Sequence, residues 1–341
     1  MELYFLKEDF SLLDGPIDSF TSVVWYERFF ETGTFVLHFP ETLLKRVMNA
    51  AYVCTSVVDG EVKCGRVEYL STEEDGICKM GGRLLECILA DRIMEGSGVY
   101  SGTVTEAVSS AVAACLGEGN VTIGECVMIS DLVDLTYSWN NLSEWVYSVL
   151  KPYGASYSVK PDPETGLPVF RIVRGEDRTA GEKAAVFSSS FGNITSINMD
   201  IDRSSMKNFA YVQGKDGTVV TVDNSGGRDK REMFVKADDI APGGFPTSED
   251  YTKALKKRGA EKLAKNPEGF AVSAECATDS LPRYGKDYFI GDICDVADEK
   301  LGVSFGMRLT AVDTVWENGV CSVYPLFGEE IRYISKLMGK I

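Results

Sequence analysis

Three turn dipeptides constrain the fold of this chain more than any other feature: Asp59-Gly60, Asp216-Gly217 and Asn318-Gly319. Each stands between runs rich in β-branched and aromatic residues, the strongest short-range signal for a β-hairpin. The central residues of such turns take positive φ, which Asn, Asp and Gly tolerate best. The third dipeptide lies in MRLTAVDTVWENGVCSVYPLFG, residues 307–328. A two-residue loop there sets Trp316 opposite Cys321 and Asp313 opposite Tyr324. The first lies in AYVCTSVVDGEVKCGRVEYL, residues 51–70. A two-residue loop there pairs Val58 with Glu61, Cys64 with Thr55 and Cys54 with Gly65. The two thiols then face opposite sides of the ribbon and cannot bridge.

Residues 1–98 read mainly as strands. FTSVVWYERF is followed by the turn Glu31-Thr32-Gly33 and the return strand TFVLHF. Phe35, Leu37 and Phe39 share one face of that strand, and Val36 and His38 the other. His38 is thereby placed at a surface or an interface. Pro40 opens a short helix over Glu41–Ala50, GICKMGGRL is a further strand, and LLECILADRIM carries Leu84, Leu85, Ile88, Leu89 and Ile93 at helical spacing.

Residues 99–190 change character. TVTEAVSSAVAACLG predicts a helix that stops at Gly117. NLSEWVYSVLKPY predicts a second, capped by Asn141 or Ser143, with Trp145, Val146, Val149 and Leu150 as its buried stripe. ASYSVK and VFRIVRG form a hairpin around PDPETGLP. Residues 191–341 return to strands: KNFAYVQG and TVVTVDN around Asp216-Gly217, then FAVSAECAT, DYFIGDICDVAD and the hairpin at Asn318-Gly319. Between them, Ser225–Asp250 reads as a Gly-, Asp- and Pro-rich loop and SEDYTKALKKRGAEKLAKN as a helix. EEIRYISKLMGKI reads as a closing helix. The fold class is α+β and β-rich: strand-rich regions at 1–98 and 191–341, the latter with a loop/helix insertion at 225–266, flank an α+β module at 99–190.

Several functional classes are excluded. No run of 18 apolar residues appears, and the opening MELYFLKEDF lacks the basic and apolar regions of a secretory signal. The cysteines at 54, 64, 78, 87, 115, 126, 276, 294 and 321 form no C-x-x-C, and His38 is the single histidine, so a zinc cluster is not expected. Their odd number, without a signal peptide, predicts reduced thiols in a cytosol-made protein. The net charge is −16. Basic against acidic residues number 9 to 17 in 1–98, 6 to 11 in 99–190 and 20 to 23 in 191–341. A tight grip on a phosphate backbone needs clustered Lys and Arg, so none is expected.

The acids that invite a catalytic or metal reading fail on spacing. Asp292, Asp295, Asp298 and Glu299 fall within FIGDICDVADEK. With Phe289–Val296 extended, Asp292 and Asp295 point to opposite faces, and Asp298 and Glu299 enter a turn with Lys300 and Gly302. The spacing is not that of a calcium loop. No phosphate-binding loop, H-E-x-x-H or G-x-S-x-G motif occurs, and MGGRLLE lacks the third glycine of a dinucleotide fingerprint. Asp131 and Asp134 form a glycosidase-like pair only if a cleft holds them apart. Ser188-Ser189-Ser190 has no base nearby in sequence. No catalytic residue, cofactor or metal is therefore expected.

The order of GPIDSFTSVVWYERFFETGTFVLHFP and MGGRLLECILADRIM resembles siphophage tail proteins of the baseplate-hub or tail-associated class. The matching positions are Gly33 in the early turn, then Gly82, Leu85, Leu89, Arg92 and Ile93. Near the carboxy terminus they are Gly214 in NFAYVQG, Gly291 and Asp292 in DYFIGDICDV, and Phe327-Gly328. The resemblance runs through nearly the whole chain. It implies two β-barrel-like hub domains and a structural role in a virion tail assembled in the host cytoplasm. Similar hubs form trimers whose two related domains per chain build a pseudo-hexameric ring between tail tube and tip. Implied partners are other copies of the chain, the distal tail ring, the tape-measure protein and tip or fibre proteins. On this reading Gly291 lets the strand bend or lets another backbone approach, and Asp292 bonds backbone donors at the turn. A carboxylate-based cell-wall hydrolase and a non-catalytic carbohydrate-binding tail adaptor remain the alternatives.

Overall fold

The computed structural model describes residues 1–56, 62–73, 75–117, 121–162, 165–277, 280–298 and 303–328, without the side chains of Asp298 and Val303. The turn at Asp59-Gly60 and the closing helix at 329–341 lie outside them. The chain forms two units, 1–198 with 273–328, and 199–272.

The first unit opens with β1 (Leu3–Leu6), β2 (Leu12–Ile17), β3 (Ser22–Arg28) and β4 (Thr34–Pro40). Strand β4 buries Phe35, Leu37 and Phe39 on one face and leaves Val36 and His38 half-buried on the other. The His38 imidazole Nδ1 stands 3.1 Å from the Ser22 hydroxyl across the β3–β4 pair. A 3-10 turn and α1 (Leu44–Val47) follow Pro40. Then come β5 (Tyr52–Thr55), β6 (Cys64–Arg66), β7 (Tyr69–Thr72) and β8 (Ile77–Arg83). Trp25, Phe35, Leu37, Phe39 and Met80 pack into one apolar core, each such side chain stabilising the fold by about 1.5–3 kcal/mol.

Two local expectations change here. The β5–β6 ribbon pairs Cys54 with Cys64 and Val53 with Gly65, one residue away from the register of a two-residue loop. This register leaves nine residues between Cys54 and Cys64, an odd number that no two-residue loop closes. The Thr55 hydroxyl accepts from the Lys63 N–H at 3.0 Å and fixes the register beyond the cysteines. The helix expected over 84–94 shrinks to α2 (Cys87–Ala90), and Ile93, which the helical spacing would bury, is 54% exposed. Leu84 instead bridges to Gly65 as an extension of β8, so the apolar run is shared between strand end and helix.

Strand β9 (Ser97–Thr103) leads into α3 (Val104–Leu116), where Thr103 and Glu106 form a reciprocal capping box and Gly117 ends the helix at φ 75°. After β10 (Thr122–Ile123), β11 (Leu132–Ser138) pairs, among the described residues, with β9 alone. Asn141 caps α4 (Leu142–Leu150) by accepting from Glu144. Ser143, the other possible cap, is buried and bonds the Tyr157 hydroxyl at 2.8 Å. Strands β12 (Ala155–Pro161) and β13 (Pro168–Arg174) form the expected hairpin. They share a second core with α3 and α4 around Trp145, Val146, Leu150 and Phe170.

Two short strands, β14 (Asp177–Arg178) and β15 (Val186–Ser188), precede β16 (Ile194–Asp202), within which the chain leaves the first unit. The second unit contains β17 (Phe209–Gly214), β18 (Val219–Asp223), β19 (Glu232–Ala237) and α5 (Ser248–Ala264). Strand β18 returns antiparallel after Asp216-Gly217. Strand β19 falls inside the segment read as loop, and it runs parallel to β17. Tyr251, Leu255 and Leu263 of α5 cover Ala210, Val212, Val235 and Ala237.

The chain re-enters the first unit through β20 (Gly269–Cys276), β21 (Ile293–Asp298), β22 (Val303–Glu317) and β23 (Val320–Gly328). Asn318 and Gly319 take φ of 52° and 78°, and Trp316 faces Cys321 and Asp313 faces Tyr324, as the turn dipeptide dictates. Strand β22 pairs with β3, so the two ends of the chain share one sheet in the order β16-β20-β23-β22-β3-β4-β8-β7, with β21, β14 and β15 branching from β22. The protein is β-rich, but the expected barrels do not close. Among the described residues all five sheets are open, and the end strands β16 and β7 do not meet.

Candidate functional site

The acidic stretch after Phe289 is a structural staple. Phe289–Asp292 is a turn closed by the Asp292 N–H donating to the Phe289 carbonyl at 3.1 Å, and the strand begins only at Ile293. Gly291, at φ 95°, makes that turn possible where an extended segment was expected, and a Cβ there would strike the Phe29 ring. Asp292 is 2% exposed. One carboxylate oxygen accepts from the Glu176 N–H at 2.7 Å, and the other from the Phe289 N–H at 2.9 Å and from the Arg178 guanidinium. Arg178, itself 7% exposed, reaches Asp292 because β14 lies parallel to β21, and it lies 5.8 Å from the Phe289 ring centre. The carboxylate is held by one cation and two backbone donors, so the bonds it makes are those of a structural buried acid. Asp295 lies farther along β21 opposite Gly306. Glu299, Lys300 and Gly302 lie outside the described residues, and among those described no group of three His, Cys, Asp or Glu could hold a metal.

Asp131 and Asp134 stand exposed at the β9–β11 ribbon. Asp134 accepts from the Ser101 hydroxyl at 2.6 Å, and the Asp131 carbonyl accepts from the Val104 N–H that opens α3. A hollow of about 260 Å³ in the second unit, lined by Asn208, Asn224, Arg228, Leu263 and Glu268, includes neither acid. Ser188 ends β15 and caps a 3-10 turn by accepting from the Ser190 N–H at 3.2 Å.

Of the remaining motif positions, Gly33, Gly82, Gly214, Leu85, Leu89 and Phe327 are packing positions, whereas Arg92 and Ile93 are exposed. A Cβ on Gly33 would overlap the Tyr26 carbonyl, one on Gly82 the Arg66 carbonyl, and one on Gly214 the Tyr251 hydroxyl. Leu85, Leu89 and Phe327 are fully buried, Phe327 with its ring centre 5.0 Å from that of Phe187. The Gly328 carbonyl accepts from the Thr310 hydroxyl. Arg92 is exposed, and its carbonyl accepts from the Leu142 N–H at 2.9 Å, the first residue of α4.

One polar cluster has no counterpart in the sequence reading. Glu86, between Leu85 and α2, is half-buried with its carboxyl turned inward, and burial of that carboxyl pushes it up to about 7. One of its oxygens has no hydrogen-bond partner, and the other stands 3.4 Å from the Val159 N–H. Tyr157 and Tyr147 pack beside it with ring centres 4.5 Å apart and planes tilted by 36°, and burial raises both phenols. A lone acid inside the apolar run LLECILA was the available signal. A carboxyl held neutral suits general-acid chemistry, but this one sits beside the packed Leu85, Tyr157 and Val159 and does not line the hollow described above.

A family model described as Siphovirus ReqiPepy6 Gp37-like protein matches residues 2–329. No curated protein matches the chain. Among solved structures, the chain is similar to the 43 kDa tail protein of prophage MuSo2 from Shewanella oneidensis, with 13% identity and TM-score 0.62 over 96% of this chain and 98% of that one. It is also similar to a tail protein from Neisseria meningitidis MC58, with 12% identity and TM-score 0.64 over 96% of each chain. A third likeness is to prophage tail protein gp18 from Listeria monocytogenes EGD-e, with 13% identity and TM-score 0.54 over 100% of this chain and 98% of that one. At these identities the likenesses establish a shared fold.

Proposed function

Because this chain belongs to the family of Siphovirus ReqiPepy6 Gp37-like proteins and is a siphophage tail protein, we propose that it is the hub that joins the tail tube to the distal tip. Three copies form a ring, with the 1–98 and 191–341 regions of each serving as two related hub domains and 99–190 as the module between them. The neighbours along the tail are the distal tail ring, the tape-measure protein and the tip or fibre proteins. The chain assembles in the host cytoplasm and acts without catalysis. The observation that carries this reading is the family match across 2–329.

Two further features support it. The β9–β11 ribbon leaves Leu132 82% exposed and Val99 54% exposed on its outer face, and we assign that face to the neighbouring copy. The acidity is also unevenly placed. Residues of the first unit number 19 basic to 37 acidic, whereas 199–272 number 13 to 12. A wall drawn from the first unit repels a passing polyanion. Among the described residues no helix is long and apolar enough to cross a membrane. Gold-labelled antibodies against the purified chain, applied to virions, test the placement. Label at the distal tail end supports the hub, and label on the head or along the tube length contradicts it.

A further inference from the structure

Cys54 and Cys64 face each other directly across the β5–β6 ribbon. Just beyond them the Thr55 N–H donates to the Lys63 carbonyl at 2.9 Å, which makes the cysteine pair a non-hydrogen-bonded one. At such positions the Cα atoms stand about 4.5 Å apart and the side chains lean together. A disulfide spans Cα separations of about 4.4–6.8 Å, so the backbone already meets its requirement. Residues directly opposite share a face of the ribbon. Both side chains are 5% exposed in the core that also holds Leu85 and Leu89. Both are free thiols here.

We propose that Cys54 and Cys64 are a latent cross-strand disulfide, open while the chain is made in a reducing cytoplasm and closed after the virion is released. Virion surfaces are oxidising surroundings in which disulfides form and persist. Only this change of compartment rests on the tail reading; the chemistry does not. The oxidant is a small disulfide such as oxidised glutathione. One cysteine thiolate attacks it, expelling one glutathione thiolate and forming a mixed disulfide. The second cysteine thiolate then attacks the protein sulfur of that bond and expels the second glutathione. The two cysteines lose two electrons and two protons, and the oxidant becomes two thiols. Burial holds the Cys64 thiol well above its ordinary range, with the Cys54 thiol beside it adding to the shift. Thiolate is therefore scarce at neutral pH and closure is slow, which leaves time for assembly. Cys87 lies in the same neighbourhood, fully buried on α2, and is the competing partner that a test must separate.

The purified full-length chain, fully reduced, is incubated with excess oxidised glutathione at several pH values, then alkylated, digested and mapped by mass spectrometry. We expect a Cys54–Cys64 linked peptide, loss of two hydrogens from the intact mass and faster closure at higher pH. We also expect a higher unfolding midpoint in the oxidised wild type that is absent in Cys54→Ser and Cys54→Ala. Full alkylation of both cysteines after prolonged oxidation would overturn the proposal, and so would a stable glutathione adduct or a Cys64–Cys87 link. The wild-type arm decides the question even if neither variant folds.

Discussion

Gly175 and Gly291 bring two backbones into contact, so close that a Cβ on Gly175 would overlap the Gly291 carbonyl. The approach lets β14 lie against β21 and carries Arg178 to Asp292. The residue identities follow from space. Replacing Gly175 with alanine should destabilise the first unit by roughly 1–3 kcal/mol or more through forced backbone displacement. Urea denaturation measures it, and a variant within about 0.5 kcal/mol of wild type would show that the approach is looser than described.

The Arg178–Asp292 pair makes an asymmetric prediction. Asp292→Ala takes from the Arg178 guanidinium its buried partner, leaving it the exposed Glu176 carboxylate at 3.2 Å, and strands two backbone donors, at a cost of roughly 3–5 kcal/mol. Replacing both partners with apolar residues of similar size should recover much of that loss. A double-mutant cycle by chemical denaturation reads the coupling. Near-additive losses would mean that the two side chains act independently.

Glu86 predicts a pH dependence. Its carboxyl is raised to about 7 by burial, so the folded state holds its proton where the unfolded chain has released it. Stability from this group is complete below the ordinary glutamic acid range and is lost as pH rises towards 7. Glu86→Gln removes that loss and should gain roughly 3 kcal/mol over wild type at pH 8, with little difference at pH 4. Thermal melts of both proteins across that range check the sign. A variant less stable than wild type at pH 8 would place a charged and well-partnered glutamate at this site.

Asp131 and Asp134 predict silence. Both are exposed on the ribbon, so the double Asn variant should stay within about 0.5 kcal/mol of wild type. The chain should leave cell-wall substrate intact with or without the substitutions. Degradation by the wild type that the double variant abolishes would restore the hydrolase reading.

What the sequence carried was local. Asn318-Gly319 set its own register because both residues adopt the positive φ that a tight hairpin needs, and the β23 partners followed without further information. Thr103 with Glu106, and Gly117, marked the ends of α3 for similar reasons. Pairings between distant segments were hidden. Strand β19 runs parallel to β17, and parallel pairs have no turn dipeptide to announce them. Asp292 was read as bonding backbone donors at a turn, while its ion pair with Arg178, 114 positions away, was not legible. The Cys54 register failed because an Asp-Gly dipeptide alone does not fix strand register, which here goes with the bond from the Lys63 N–H to the Thr55 hydroxyl. The charge, acidic in every region of the sequence, gathers in the first unit because the near-neutral 199–272 is inserted as a separate body.

The oligomeric mass of the purified chain, by native mass spectrometry or sedimentation at micromolar concentration, tests the hub most directly. The account predicts three chains in a closed ring visible by electron microscopy, reduced to monomers by Leu132→Asp with the fold intact. A wild-type chain that stays monomeric under those conditions and forms no ring would contradict it.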